Sequence, residues 1–206
     1  VINAGEDNNT ITFNGGTNTL TAGSGADTIT SVSGTNVIST GDGTDSITLN
    51  GGANTVNAQA GTDSITINLG TNSVDGGDGN DTIEGGDGKD LLLGGEDADT
   101  IKGDAGNDTI LGGDGNDSIN GGKDKDKLYG ENGNDKIDGD AGADTIEGGE
   151  GEDKLWGGSG NDEIDDRGLR PTSSKSRPAC RARRSSPASC KATRPGGRTA
   201  ATRACT

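Results

Sequence analysis

Thirteen aspartates, Asp27, Asp45, Asp63, Asp81, Asp90, Asp99, Asp108, Asp117, Asp126, Asp135, Asp144, Asp153 and Asp162, follow one another at intervals of nine or eighteen residues. A short carboxylate repeated at a fixed interval in glycine-rich sequence is an oxygen donor suited to a hard cation, which takes oxygens from side chains and backbone alike. Glycine serves that chemistry because it reaches φ > 0 and lets a turn aim several carbonyls inward. Other chemistries lack their parts. The chain has no His, and its three cysteines (Cys180, Cys190, Cys205) all lie near the C-terminus, outside the aspartate-rich part. Nucleophilic catalysis therefore has no constellation to work with. Paired carboxylates of the glycosidase kind could be drawn anywhere along the series, but each pair is a copy of the next, whereas a catalytic pair is unique. The chain reads as non-enzymatic.

The elements that must position these aspartates follow from one period. From Ala4 to Asp165 the chain divides into 18 consecutive nonapeptides without insertion or deletion. The last ten run GGDGNDTIE, GGDGKDLLL, GGEDADTIK, GDAGNDTIL, GGDGNDSIN, GGKDKDKLY, GENGNDKID, GDAGADTIE, GGEGEDKLW and GGSGNDEID. The eighth position is aliphatic in every unit, from Ile11 to Ile164. An aliphatic residue between polar neighbours predicts a three-residue strand with one inward side chain, and the six residues before it predict a turn. A helix would carry glycine in every turn, at about 1 kcal/mol each.

The sixth position refines the period. It is Asn in Asn9, Asn18, Asn36, Asn54 and Asn72, Asp in Asp27, Asp45 and Asp63, and Asp in every unit from Asp81 onward. The alternation before residue 76 makes the true repeat 18 residues, as expected of a flattened coil with two strands and two turns per lap. One column of turns then stacks Asp and the other stacks Asn, whose amides can hydrogen-bond along a stack without repulsion. That structural role is the first reading of the Asn column; the alternative, supported only by Thr17, Thr35 and Thr71 beside it, is a flat polar face for ice, a glycan, another chain or an extracellular surface.

Composition alone would suggest disorder: among 206 residues there are 40 Gly, only 25% hydrophobic residues, and one each of Trp, Tyr and Phe. The ordering of those residues reverses that reading. Residues 1–165 hold 33 acids and 7 bases, a net of −26, whereas residues 166–206 hold one acid and 11 bases, a net of +10. An acidic body of this kind is unsuited to nucleic acid or anionic membranes, and no apolar run of about 18 residues is available to span a bilayer. A start at Val1 with no signal peptide reads as a fragment of a longer protein. The aperiodic basic tail, 166–206, reads as a disordered extension or as a frameshift product, because a neighbouring frame across Ala200 to Ala204 can encode Gly-Gly-Asp-Ala-Gly.

The ten units from Gly76 resemble the consensus GGxGxDxUx of the repeats-in-toxin (RTX) calcium-binding family. The full motif covers residues 76–165, and residues 4–75 share its register and part of its pattern. The resemblance implies an all-β, right-handed parallel β-roll, a solenoid with 18 residues per coil, that holds several Ca²⁺ between stacked turns. The implied ligands are turn carbonyls and the sixth-position Asp of units one lap apart. Those pairs are Asp81/Asp99, Asp99/Asp117, Asp117/Asp135 and Asp135/Asp153 on one side, and Asp90/Asp108, Asp108/Asp126, Asp126/Asp144 and Asp144/Asp162 on the other. Three more would follow Asp27, Asp45, Asp63 and Asp81. Asp97 and Asp124 in place of the fourth-position glycine, and Asp104, Glu131 and Asp140 in place of the second, would have to enter the left-handed region, which Asp tolerates better than most residues.

Three segments are thus expected: degenerate coils with alternating Asn and Asp turns (1–75), the calcium-binding roll (76–165) and the tail. Carboxylates stacked about 4.8 Å apart repel by about 0.9 kcal/mol per neighbouring pair even at the dielectric of water, so metal binding and folding should be coupled. The resemblance further implies export by type I secretion machinery and calcium-triggered folding outside the cell. The alternatives are a structural or adhesive spacer and the non-catalytic part of a secreted hydrolase or epimerase.

Overall fold

The computed structural model describes residues 1–166. The reading of the basic tail falls outside them, apart from Asp166. Among the described residues there are 20 β-strands and no helix.

The strands form two parallel sheets, one from each half of every lap. The first sheet runs from Ile2–Asn3 through Thr17–Thr21 and Thr35–Gly43 to Glu163–Asp165, and the second from Thr10–Phe13 through Thr28–Ser31 to Lys154–Trp156. Each strand pairs with its counterpart one lap away, so that Ile83 lies opposite Ile65 and Ile101, while Leu92 lies opposite Val74 and Ile110. This constant offset stacks like residue on like residue along the whole solenoid. Pairing runs unbroken across residue 75, since Leu91–Glu96 is bonded to Ser73–Asp78 and Thr82–Glu84 to Ser64–Ile67.

Because side chains alternate across a strand, the eighth position of each unit points inward. Fifteen of these aliphatics are buried, from Leu20 to Ile146, and Ile11, Leu155 and Ile164 at the ends pack against them. The strands differ from expectation in length, reaching nine residues in Thr35–Gly43 and seven in Lys136–Gly142. The reason lies in the turns. Their start is extended enough to continue the lap-to-lap ladder, pairing Gly95 with Gly77 and Gly113 with Glu131.

The interior changes character along its length. In the first eight units the first position carries a side chain, and Phe13, Ala22, Ser31, Thr40, Leu49, Ala58 and Ile67 are all buried. From Gly76 onward that position is always glycine. The N-terminal laps are therefore filled by two inward side chains per unit where the later laps have one.

Candidate metal centres

The turns gather the thirteen aspartates into two columns. Asp27, Asp45, Asp63, Asp81, Asp99, Asp117, Asp135 and Asp153 stack in one, and Asp90, Asp108, Asp126, Asp144 and Asp162 in the other. Twelve of them are buried, with Asp162 the most exposed of these at 8%, and Asp153 is half-buried. Within a column the backbone N–H of each aspartate donates to Oδ1 of the aspartate one lap on, at 2.7–3.2 Å. All eight pairs expected in residues 76–165, and the three N-terminal ones, are joined in this way.

The second carboxylate oxygen is the feature that calls for an explanation. Oδ2 of twelve aspartates, all except Asp162, is buried without a hydrogen-bond partner. Among the described residues no lysine or arginine answers them: the ion pair formed there is Lys102 with Glu84 on the surface. A buried unsatisfied charge is costly, and a column of them recurring at every lap from Asp27 to Asp153 calls for a positive charge that no described residue supplies.

From Asp81 onward glycine makes room beside each of these oxygens. A Cβ on Gly85 would lie 2.9 Å from Asp90 Oδ2 and 3.3 Å from the Gly103 carbonyl oxygen. On Gly121 it would lie 2.7 Å from Asp126 Oδ2 and 3.2 Å from the Gly139 carbonyl, and on Gly139 it would lie 2.6 Å from Asp144 Oδ2 and 2.9 Å from the Gly157 carbonyl. A carboxylate oxygen and a carbonyl oxygen of the following lap thus converge where a side chain would otherwise sit. Among the described residues no group of three or more metal-ligating side chains gathers at one point. The donor set is instead carboxylate plus backbone, all oxygen, which fits Ca²⁺ and is poor for softer metals.

The electrostatics follow from burial. Desolvation of the charged form pushes the carboxyls of Asp63, Asp99, Asp108 and Asp126 up to about 7 from an ordinary 3.8. It pushes Asp81, Asp90, Asp135 and Asp144 up to about 6, and it raises Asp45, Asp117 and Asp153. The N–H held by Oδ1 pulls each one back without cancelling the burial, while the column neighbours Asp126 and Asp90 push Asp108 further up.

The turn positions that depart from glycine keep its conformation. Asp97 (φ 76°), Asp104 (71°), Asp124 (77°), Glu131 (72°) and Asp140 (62°) are all left-handed, as expected, and Asp7 (82°) and Gln59 (76°) join them. The Asn column is bonded throughout: Asn18, Asn36 and Asn54 each donate Nδ2 to Oδ1 of the next Asn at 2.8, 2.8 and 3.0 Å. Asn72 then donates to Asp90 Oδ1 at 3.0 Å.

Two participating positions escaped the sequence reading. At the fifth position, Asn80, Asn107, Asn116 and Asn134 accept the backbone N–H of the unit one lap on, at 2.8–3.0 Å. They clamp neighbouring turns in the direction opposite to the aspartates. The recurrent Asn before Asp was the available signal. At the first position, Ala22, Thr40 and Ala58 bring buried side chains into the units of Asp27, Asp45 and Asp63, where later units have glycine.

The family model for the RTX calcium-binding nonapeptide repeat (four copies) matches residues 1–29, 30–65, 66–101, 93–128, 102–137 and 129–164. No curated protein matches the chain.

Proposed function

Since the chain belongs to the RTX calcium-binding nonapeptide-repeat family, whose repeat is a structural calcium-binding module and not a catalytic one, we propose that residues 76–165 fold only when Ca²⁺ is held at the eight aspartate pairs. One observation carries this reading: the buried, partnerless Oδ2 that recurs at every lap. Each pair contributes carboxylate oxygen, and the glycine-rich turns contribute carbonyls. A bound Ca²⁺ supplies the positive charge that stacked carboxylates otherwise lack. The Asp27, Asp45 and Asp63 turns are poorer hosts, because Ala22, Thr40 and Ala58 occupy the place that glycine leaves open.

Binding that exists only in the folded state is folding free energy. A module of this kind stays unfolded in the submicromolar calcium of a cytosol and orders at the roughly 10⁻⁴–10⁻³ M affinities of extracellular modules. That behaviour suits a folding module of a secreted protein, exported unfolded by a type I pathway. Far-UV circular dichroism during a calcium titration tests it. Calcium should produce a β spectrum that Mg²⁺ does not, and a fully folded spectrum in excess chelator would refute the proposal.

A further inference from the structure

The two halves of the solenoid solve the problem of stacked turns differently. In the Asn column, Nδ2 of Asn18, Asn36, Asn54 and Asn72 is a donor aimed at the Oδ1 of the next lap, and none of these amides is left without a partner. The same laps are filled by Phe13, Leu49 and Ile67, which are 5%, 0% and 1% exposed. From Gly76 onward both columns are aspartate, both first positions are glycine, and the orphaned Oδ2 occurs on both sides of every lap but the last. Residues 1–75 carry 7 acids and no base, against 26 acids and 7 bases in residues 76–165. The first half keeps one orphaned column, at Asp27, Asp45 and Asp63, but a second inward row of side chains and a closed amide ladder offset it, whereas the second half has a single inward row and orphaned carboxylates in both columns.

The junction is continuous. Asn72 gives both its backbone N–H (2.7 Å) and its Nδ2 (3.0 Å) to Asp90 Oδ1, and Ser73–Asp78 presents its edge to Leu91–Glu96. We propose that residues 1–75 are a calcium-independent template, and that the calcium-binding laps assemble on it in order, from the Asn72/Asp90 junction outward to Asp162. In a solenoid each repeat contacts only its neighbours, so a lap formed on an existing edge avoids the nucleation that an isolated lap requires. Calcium then extends an existing roll and need not create one. This rests on the calcium-folding reading above.

Hydrogen exchange of the full chain, resolved by peptide, separates the two claims. In chelator, amides of residues 10–75 should be protected and those of 76–165 should exchange as an unfolded chain. As calcium is added, protection should appear first at residues 76–108 and last at 144–162. If both halves are unprotected in chelator and gain protection at one calcium concentration, or from the C-terminal end, the template is refuted while calcium-dependent folding stands. If the whole chain is protected in chelator, the calcium reading itself falls. The double variant Asn36→Asp, Asn54→Asp places carboxylates in the template's closed ladder. It should lose the chelator-state protection of residues 10–75, and protection unchanged from the native chain would overturn the role given to the Asn column.

Discussion

Asn72 and Asp90 occupy successive turns of one column and differ by a single atom. Nδ2 of Asn72 donates to the next lap, whereas the matching Oδ2 of Asp90 has no donor to meet and lies buried. Aspartate thus converts a self-sufficient ladder into one that needs a cation, and this contrast predicts how substitutions should sort. Asp108 accepts the backbone N–H of Asp90 at 2.8 Å and donates its own to Asp126 at 2.8 Å. Asp108→Asn keeps the accepting oxygen and adds a donor toward Asp126, while Asp108→Ala leaves the Asp90 N–H unsatisfied. In saturating calcium the Asn variant should be more stable than the Ala variant by about 1–3 kcal/mol in urea denaturation. Both should bind fewer ions by titration calorimetry. Equal stability of the two would mean that the ladder bond contributes nothing.

The element that makes the site is the turn, and its glycines are not equivalent. Gly113 lies at φ 112°, and a Cβ there would overlap the Gly95 carbonyl, so it is needed for the fold. Gly112 lies outside the left-handed region, yet a Cβ on it would crowd Asp117 Oδ2 and stand 2.9 Å from the Gly130 carbonyl. Gly112→Ala should therefore spare the backbone and block the site of Asp117 and Asp135. It should lower the bound calcium by one ion and destabilise the calcium form by about 1–3 kcal/mol, as overpacking does. Unchanged stoichiometry would show that the space beside Oδ2 is not where the ion is held.

The same turns mark what the sequence could reveal. Strict period and alternation predicted the 18-residue lap, the inward row from Ile11 to Ile164, the two columns and the left-handed residues such as Asp97 and Asp124, because each depends on type recurring at a fixed interval. The first position was missed because Ala22, Thr40, Leu49 and Ile67 look like decay of a glycine motif. Only their burial shows them to be a second interior row. The fifth-position clamp was missed because Asn80, Lys89, Ala98 and Asn107 share no single chemistry, and only the Asn members reach the next lap. Strand length was misjudged because backbone pairing through glycine leaves no side-chain signature.

At the scale of the whole molecule, the laps of a segment of net charge −26 stack thirteen of its aspartates into two columns, and either of two cations can relieve them. A proton on Oδ2 makes aspartate a donor like asparagine. The carboxyls raised to about 6 to 7 in the roll have an ordinary value of 3.8, so the calcium-free roll binds protons more tightly than the unfolded chain. By linkage the stability this contributes is full below about pH 3.8 and is lost as pH rises through 6 to 7. Calcium has the opposite dependence, because it takes the ionised form and displaces the proton. In chelator, the β signal should therefore grow as pH falls from 8 to 5. Over the same interval the calcium midpoint should rise, and calcium binding near pH 6.5 should release protons, measurable as a buffer-dependent calorimetric heat. A chelated chain equally unfolded at pH 5 and pH 8 would refute the linkage. Its confirmation would mean that acid and calcium fold the same columns by supplying, at the same oxygen, the positive charge that no described residue supplies.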